Sequence, residues 1–514
     1  MPASVDKPDY MNERMSRDNS PAPTGKALQW TAEEEKTLVK KLDWHLMPLL
    51  WTLFMLSFLD RSNAKTAGMA RELNMSDDQY QWLLTIFYIG YCLGQPTMLL
   101  WKAVPPHILV AVLTFCWGSF ALLQPTAHWA GLMVLRLLLG IAETTFSPGV
   151  TFFLTFFYNR REVGLRQGLY AAAAPIASCY AGSLAYGISQ AKHSAIPVWK
   201  LLFLVEGAPA ILMVPVAFFF LADKPSKAKF LTEREKEIAK ARTLRDGITG
   251  REGGLKKKGV WAGLRDPKAY LCALVYFSCN VSYSSLPVFL PTILSDMGFS
   301  SIRAQGLSAP PYLASFFVIL AACYLSDRIG DRSIFMIPLA LVGAVGYLIL
   351  ALVESTAVRY FAIYLCACGI FPVIGLMLPF TASMHEDDSK RGAGFLLLNL
   401  IGQCGPFLGT RLYPTTEGPY YVKGMAVSCG FMFFAAIVVL ILRLLLIREN
   451  RQRDRLYGYV DPKEAYHAPL GSDAQTSRSI EEAPSVHRGN VFEGKHAPAA
   501  GEEDGVNREW RFLY

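Results

Sequence analysis

Ionisable residues inside the long apolar stretches of this chain are few, and four of them gather in two stretches. Asp60 and Arg61 stand in the stretch that begins near Leu46, and Arg136 and Glu143 stand in the stretch 129–157. A charge near the centre of a bilayer costs about 2.5–3.5 kcal/mol on insertion scales, and it normally survives facing a partner or a water-filled cavity. At ~1.5 Å rise per residue, Asp60 lies roughly 21 Å along its helix and Arg136 roughly 10 Å along an antiparallel one. Both then fall in the same third of a ~30 Å apolar layer, where an Asp60–Arg136 pair relieves both charges. Glu143 follows Arg136 by two helical turns, on the same face and about 10 Å deeper. A carboxyl in such a low-dielectric setting gives up its charge readily, so Asp60 and Glu143 are candidates to load and release a proton. Arg61 and Arg136 hold their charge and match the geometry of a carboxylate, so they are candidate ligands for an organic anion.

Uncharged polar residues form a second set of candidate ligands. Asn399 and Gln403 are four residues apart on one helical face, Asn280 and Tyr283 lie near the middle of another apolar stretch, and Tyr88 and Tyr91 lie in a third. The competing reading for each is a hydrogen bond between neighbouring helices. For the four charges, the competing reading is a staple between two helices.

The elements that must position these residues are membrane spans. Charged residues make up 18% of the chain and hydrophobic ones 52%, against about 25% charged in soluble proteins. Twelve apolar segments approach the ~20 residues that cross a bilayer: 46–66, 79–101, 106–125, 129–157, 167–189, 199–221, 269–290, 304–326, 334–353, 357–381, 392–413 and 424–447. The expected organisation is an N-terminal tail 1–45, a six-helix half 46–221, a polar linker 222–268, a second six-helix half 269–447 and a tail 448–514 without packed structure. The fold class is therefore an all-α membrane protein. Lys102, Arg160, Arg161, Arg166, Arg328, Arg332, Lys390 and Arg391 fall in loops on one side with the basic linker, so the positive-inside rule places that side and both termini in the cytoplasm. Thr232 and Glu235 have capping-box spacing and predict a linker helix from Thr232 to Arg245. Pro175, Pro310, Pro311, Gly369, Pro372 and Gly375 are candidate hinges.

Other function classes find little support. The run His385-Glu-Asp-Asp-Ser389 breaks the zinc-binding H-E-x-x-H pattern. No G-x-S-x-G elbow and no zinc-spaced Cys/His cluster is present. The chain is thus expected to be neither an enzyme nor a holder of metal or cofactor. All ten cysteines lie in apolar stretches, which suits buried thiols better than a disulfide framework. The net charge of +8 is accounted for by loops at a membrane face and does not call for nucleic acid.

Several runs carry a resemblance. Phe58-Leu-Asp-Arg-Ser-Asn63 and Arg136-Leu-Leu-Leu-Gly-Ile-Ala-Glu-Thr-Thr-Phe-Ser-Pro-Gly149 resemble the first and fourth helices of the anion:cation symporter family of the major facilitator superfamily. Trp199–Gly207, Phe289–Ile293 and Ala309–Tyr312 are similar to that family, nearest its fungal allantoate permease-like branch. Tyr324-Leu-Ser-Asp-Arg-Ile-Gly-Asp-Arg332 resembles the superfamily's cytoplasmic loop signature. The resemblance implies a monomeric, proton-coupled symporter of small organic anions in the plasma membrane. It puts proton coupling and anion binding on Asp60, Arg61, Arg136 and Glu143, substrate contact on Asn399, and the closed cytoplasmic gate on Asp327, Arg328 and Arg332. The chain departs from the family pattern after Asn63, at Gly94-Gln-Pro-Thr97 and at Trp101–Pro106. Export of a small metabolite on the same fold is the alternative reading.

Overall fold

A computed structural model describes residues 30–59, 68–158, 160–190, 196–245, 257–384 and 388–458, and the regular elements among them are all helical. The chain folds as twelve transmembrane helices in two six-helix halves. In the first half, span 1 is Ala32–Leu59, span 2 starts with Asp77–Leu93, span 3 is Pro106–Leu123 and span 4 is Trp129–Leu154. Span 5 comprises Arg160–Ala171 and Ala173–Ser189, and span 6 is Val198–Phe220. In the second half, spans 7 to 10 are Pro267–Asp296, Ser301–Ile329, Ser333–Leu352 and Thr356–Ser383. Span 11 comprises Asp388–Gly402 and Gly405–Gly409, and span 12 is Val422–Tyr457.

Ten of these helices are individually long and apolar enough to cross a membrane. The two that fall short, spans 2 and 5, are broken. Span 2 passes through a 3₁₀ stretch, Gln95–Leu99, that contains Pro96, before a last turn Leu100–Ala103. Span 5 breaks at Ala172, in the turn before Pro175, because the proline ring crowds the carbonyl four residues back and donates no N–H to it. Spans 8 and 10 run through Pro310, Pro311 and Pro372 as continuous helices. All ten cysteines are free thiols.

Two helices outrun the apolar segments that the sequence marks. The helix of span 1 begins at Ala32, ahead of the apolar segment from Leu46, so 32–45 of the expected tail is helical. Thr31 and Glu34 close a capping box there, with Thr31 N donating to Glu34 Oε2 at 2.8 Å and Glu34 N to Thr31 Oγ1 at 3.2 Å. The extension is amphipathic: Leu38 and Leu42 are fully buried, and the linker helix Glu233–Arg245 packs beside it with Ile238 and Ala239 buried. The helix of span 12 likewise continues to Tyr457, past the apolar segment that ends at 447, so the first ten residues of the expected tail are helical. The linker helix itself matches the sequence expectation, and its capping box forms between Thr232 and Glu235.

Polarity runs inside out relative to a soluble fold. Leu212, Phe219, Leu352, Phe433 and Leu444, on spans 6, 9 and 12, are exposed apolar side chains that face the lipid layer. Within the first half, spans 2 and 4 approach closely at Gly140, where a Cβ would lie 2.1 Å from the Phe87 carbonyl oxygen. Only glycine permits that spacing, and it brings span 4 and its two charges against the centre of the half.

Candidate functional site

A single turn of span 5 and parts of six other spans enclose a central cavity between the halves. It leaves about 70 Å³ for the centres of water-sized spheres, where about 10–15 Å³ holds one water. The space therefore takes several waters or one small solute. Spans 1, 2, 4 and 5 contribute Phe54, Phe58, Tyr88, Tyr91, Ser147, Thr151 and Tyr170. Spans 7, 10 and 11 contribute Tyr276, Asn280, Tyr283, Ser284, Phe371, Asn399 and Gln403, among others. All six uncharged residues singled out in the sequence, Tyr88, Tyr91, Asn280, Tyr283, Asn399 and Gln403, are thus brought to one cavity from both halves.

The charged candidates behave differently. Asp60 and Arg61 lie outside the described residues. Arg136 and Glu143 are buried in span 4 but are not among the lining residues. The Arg136 guanidinium sits 5.5 Å from the Phe203 ring centroid, against span 6. Burying the long side chain there replaces water with the face of an aromatic ring. Glu143 precedes Ser147 and Thr151 by four and eight residues, so it stands on the cavity-lining row of span 4, one turn beyond the cavity.

Asn280 has a structural duty that its sequence position did not reveal. Pro406 has no N–H, so the carbonyl of Gly402 loses its helical partner and span 11 breaks. The Asn280 carboxamide nitrogen donates to that carbonyl at 3.1 Å. One residue on, the Gln403 carbonyl accepts the Cys92 thiol of span 2 at 3.6 Å. Neighbouring helices thus satisfy the freed backbone groups, as a bilayer interior demands. Asn399 donates to its own helix, to the Phe395 carbonyl at 2.9 Å. The rings form a chain across the interface: Phe58 and Tyr283 have centroids 5.6 Å apart, and Tyr283 and Phe371 5.1 Å.

The halves touch on both sides of the cavity. On the linker side, span 5 lies against span 8, and a Cβ on Gly168 would come 2.5 Å from Cys323 Sγ. Arg332 is buried, donating to the Pro379 carbonyl at 2.5 Å and to Asp327 Oδ1 at 3.2 Å. That pair abuts the backbone of span 5 at Gly164. Arg328 does not join it and is exposed. Each half is also braced within itself on this side. Arg166 clasps Asp43 through two hydrogen bonds of 2.7 and 2.6 Å, Arg242 bridges Glu35 and Glu162, and Arg443 holds Asp331. On the opposite side, Thr85 and Thr410 hydroxyls meet at 3.1 Å and Arg411 reaches Asp78 at 2.9 Å. Glu72, just outside the spans, accepts from Trp199 Nε1 at 2.6 Å and pairs with Lys200 at 3.0 Å. These bonds hold its carboxyl below the ordinary 4.5.

Sequence reasoning missed Phe54, Phe58, Tyr170, Tyr276 and Phe371 in the lining, because isolated aromatics in apolar spans read as ordinary core. Asp78 and Arg411 were missed too. Their signal was opposite charge at the mouths of spans 2 and 11.

Comparison with known proteins agrees with this architecture. The family model described as Major Facilitator Superfamily matches residues 50–410. The MFS-type transporter efuF of Hormonema carpetanum is 32% identical, over 82% of this chain and 87% of its own. The high-affinity nicotinic acid transporter of Saccharomyces cerevisiae is 28% identical, over 86% of this chain and 83% of its own. The solved structure of the proton:xylose symporter XylE, bound to 6-bromo-6-deoxy-D-glucose, superposes with a TM-score of 0.60 at 12% identity, covering 80% of this chain and 96% of that one.

Proposed function

The chain belongs to the major facilitator superfamily, and on that premise we propose that it is a secondary transporter coupling movement of a small organic anion to protons. The observation that carries this reading is the cavity between the halves, to which seven spans from both halves contribute. Such a cavity suits alternating access, in which the halves rock about a fixed central site. The proton sites in this reading are Glu143, one helical turn from Ser147 in the lining, and Asp60. The positive charges that favour the anion are Arg136 and Arg61. Protonating a carboxyl removes its charge from the apolar layer and makes the closed, occupied state easier to reach, so proton and anion stabilise that state together. Arg166, Arg332, Lys390 and Arg391 on the linker side support a cytoplasmic linker and cytoplasmic termini. The transporter acts as a monomer in the plasma membrane, with Asp327 and Arg332 at the cytoplasmic gate.

The test is uptake of labelled carboxylates into proteoliposomes, with and without an inward proton gradient. Each pH unit supplies about 1.4 kcal/mol per proton, so a two-unit gradient supports about 100-fold accumulation per proton carried. Glu143→Gln and Arg136→Ala are expected to abolish gradient-driven accumulation. Accumulation indifferent to the gradient, with both variants as active as wild type, refutes the coupling site.

A further inference from the structure

Resting on that anion-transporter reading, we propose that Gln167 and Thr151 form a second polar station, on the linker side of the central cavity, that hydrogen-bonds the acid group of the solute as it leaves between spans 5 and 8. Gln167 is 1% exposed, and neither its carboxamide nitrogen nor its oxygen has a hydrogen-bond partner among the described residues. Thr151 lines the cavity, is buried, and its hydroxyl is equally without a partner among them. The two share a level. Tyr170 Oη donates to the Ser147 carbonyl at 3.4 Å, which ties the antiparallel spans 4 and 5 together at the cavity. Thr151 follows Ser147 by four residues and Gln167 precedes Tyr170 by three, so each lies about one helical turn nearer the linker.

A buried polar group without a partner is costly, most of all within an apolar layer. A leucine at position 167 fills much the same space without that cost, so the use of the carboxamide lies in a state where it finds a partner. Gln167 adjoins the closure itself: Gly168 packs on Cys323 of span 8, and Gly164 abuts Arg332 just beyond that span. Parting of spans 5 and 8 therefore opens space beside Gln167 and Thr151. The carboxamide NH₂ and the threonine hydroxyl can then donate three hydrogens to a carboxylate. The nearby acids do not compete for those donors, since Asp327 accepts from Arg332 and Asp43 from Arg166.

The experiment places one thiol at either position, Gln167→Cys or Thr151→Cys, in the purified full chain with its other cysteines changed to serine, with and without Gly168→Ala. In neutral detergent the chain meets two thiol reagents of similar size and opposite charge, sulfonatoethyl and trimethylammonioethyl methanethiosulfonate. Each rate is divided by the rate on free cysteine. With Gly168→Ala both positions are expected to label about tenfold faster than without it, and the sulfonate about tenfold faster than the ammonium. Protection of both positions in every background overturns the station. Labelling in which the ammonium matches the sulfonate overturns its use by an anion. A third variant, Gln167→Leu, tests for a merely structural role: its unfolding temperature is expected to rise by about 1–3 °C, and a fall assigns the carboxamide to packing of the closed state and overturns the proposal. None of these readouts needs a transported substrate or a proton gradient. Protected thiols in a chain that still accumulates a carboxylate refute the station alone, and exposed, anion-selective thiols in a chain indifferent to the gradient refute proton coupling alone.

Discussion

Gly168 sits where spans 5 and 8 close on the linker side of the cavity, and adding one methyl group there is a direct probe of the transport cycle. A Cβ at Gly168 would lie 2.5 Å from Cys323 Sγ and 2.9 Å from Cys323 Cβ. Both distances are shorter than carbon and sulfur tolerate, so in Gly168→Ala the two spans must part. Overpacking of this kind costs about 1–3 kcal/mol. The cost falls only on states in which the spans are closed, so the equilibrium shifts toward the linker-open state by about 5- to 150-fold. Cys323 is itself the reporter, because its side chain is buried beneath the glycine. In a background where the other cysteines are serine, a water-soluble maleimide should label Cys323 slowly in the parent and faster in Gly168→Ala, while transport slows. Cys323→Gly removes both contacted atoms, and combined with Gly168→Ala it should restore transport. On the other side, a Cβ at Gly182 would meet Ser308 Oγ at 2.5 Å, so Gly182→Ala should slow transport and leave Cys323 protected. If Gly168→Ala transports like the parent and Cys323 stays protected, closure of spans 5 and 8 is not part of the cycle.

Two further expectations concern the faces of the fold. Arg242 is 2% exposed while its carboxylate partners Glu35 and Glu162 are 24% and 21% exposed. Breaking a buried pair costs 3–5 kcal/mol; water reaching these carboxylates reduces that to about 2–3 kcal/mol for Arg242→Ala, read as a lower unfolding temperature in detergent. Arg242→Lys should recover only part of it, since a single ammonium cannot bridge both carboxylates as the guanidinium fork does. Glu72 has its carboxyl held below 4.5 by the Trp199 and Lys200 bonds. A carboxyl depressed in the folded state stabilises fully above its unfolded pKa and loses that stability as pH falls through the folded value. Glu72→Gln should therefore lower thermal stability at pH 7, and the difference from wild type should shrink below about pH 4; a difference that persists there shows that the Glu72 charge is not what stabilises.

The spans were legible from sequence because insertion into an apolar layer is nearly additive along the chain, residue by residue. Twelve apolar segments, a basic side and an even split about the linker follow from local composition alone. So did the linker helix, whose capping box lies within four residues. The six uncharged cavity residues were also visible, because a polar group in an apolar span must have a partner, whatever that partner is. What that partner is depends on which spans meet. The carboxamide of Asn280 is held by a carbonyl that Pro406 frees 126 residues later, and no local rule connects them. Arg136 turns to Phe203, on a span that its own sequence neighbourhood does not name. The helix from Ala32 was hidden because its buried face, Leu38 and Leu42, meets the linker helix and not lipid. Local free energies decide what crosses the membrane, but the identity of a binding surface comes from contacts among distant segments, and only the assembled fold sets those.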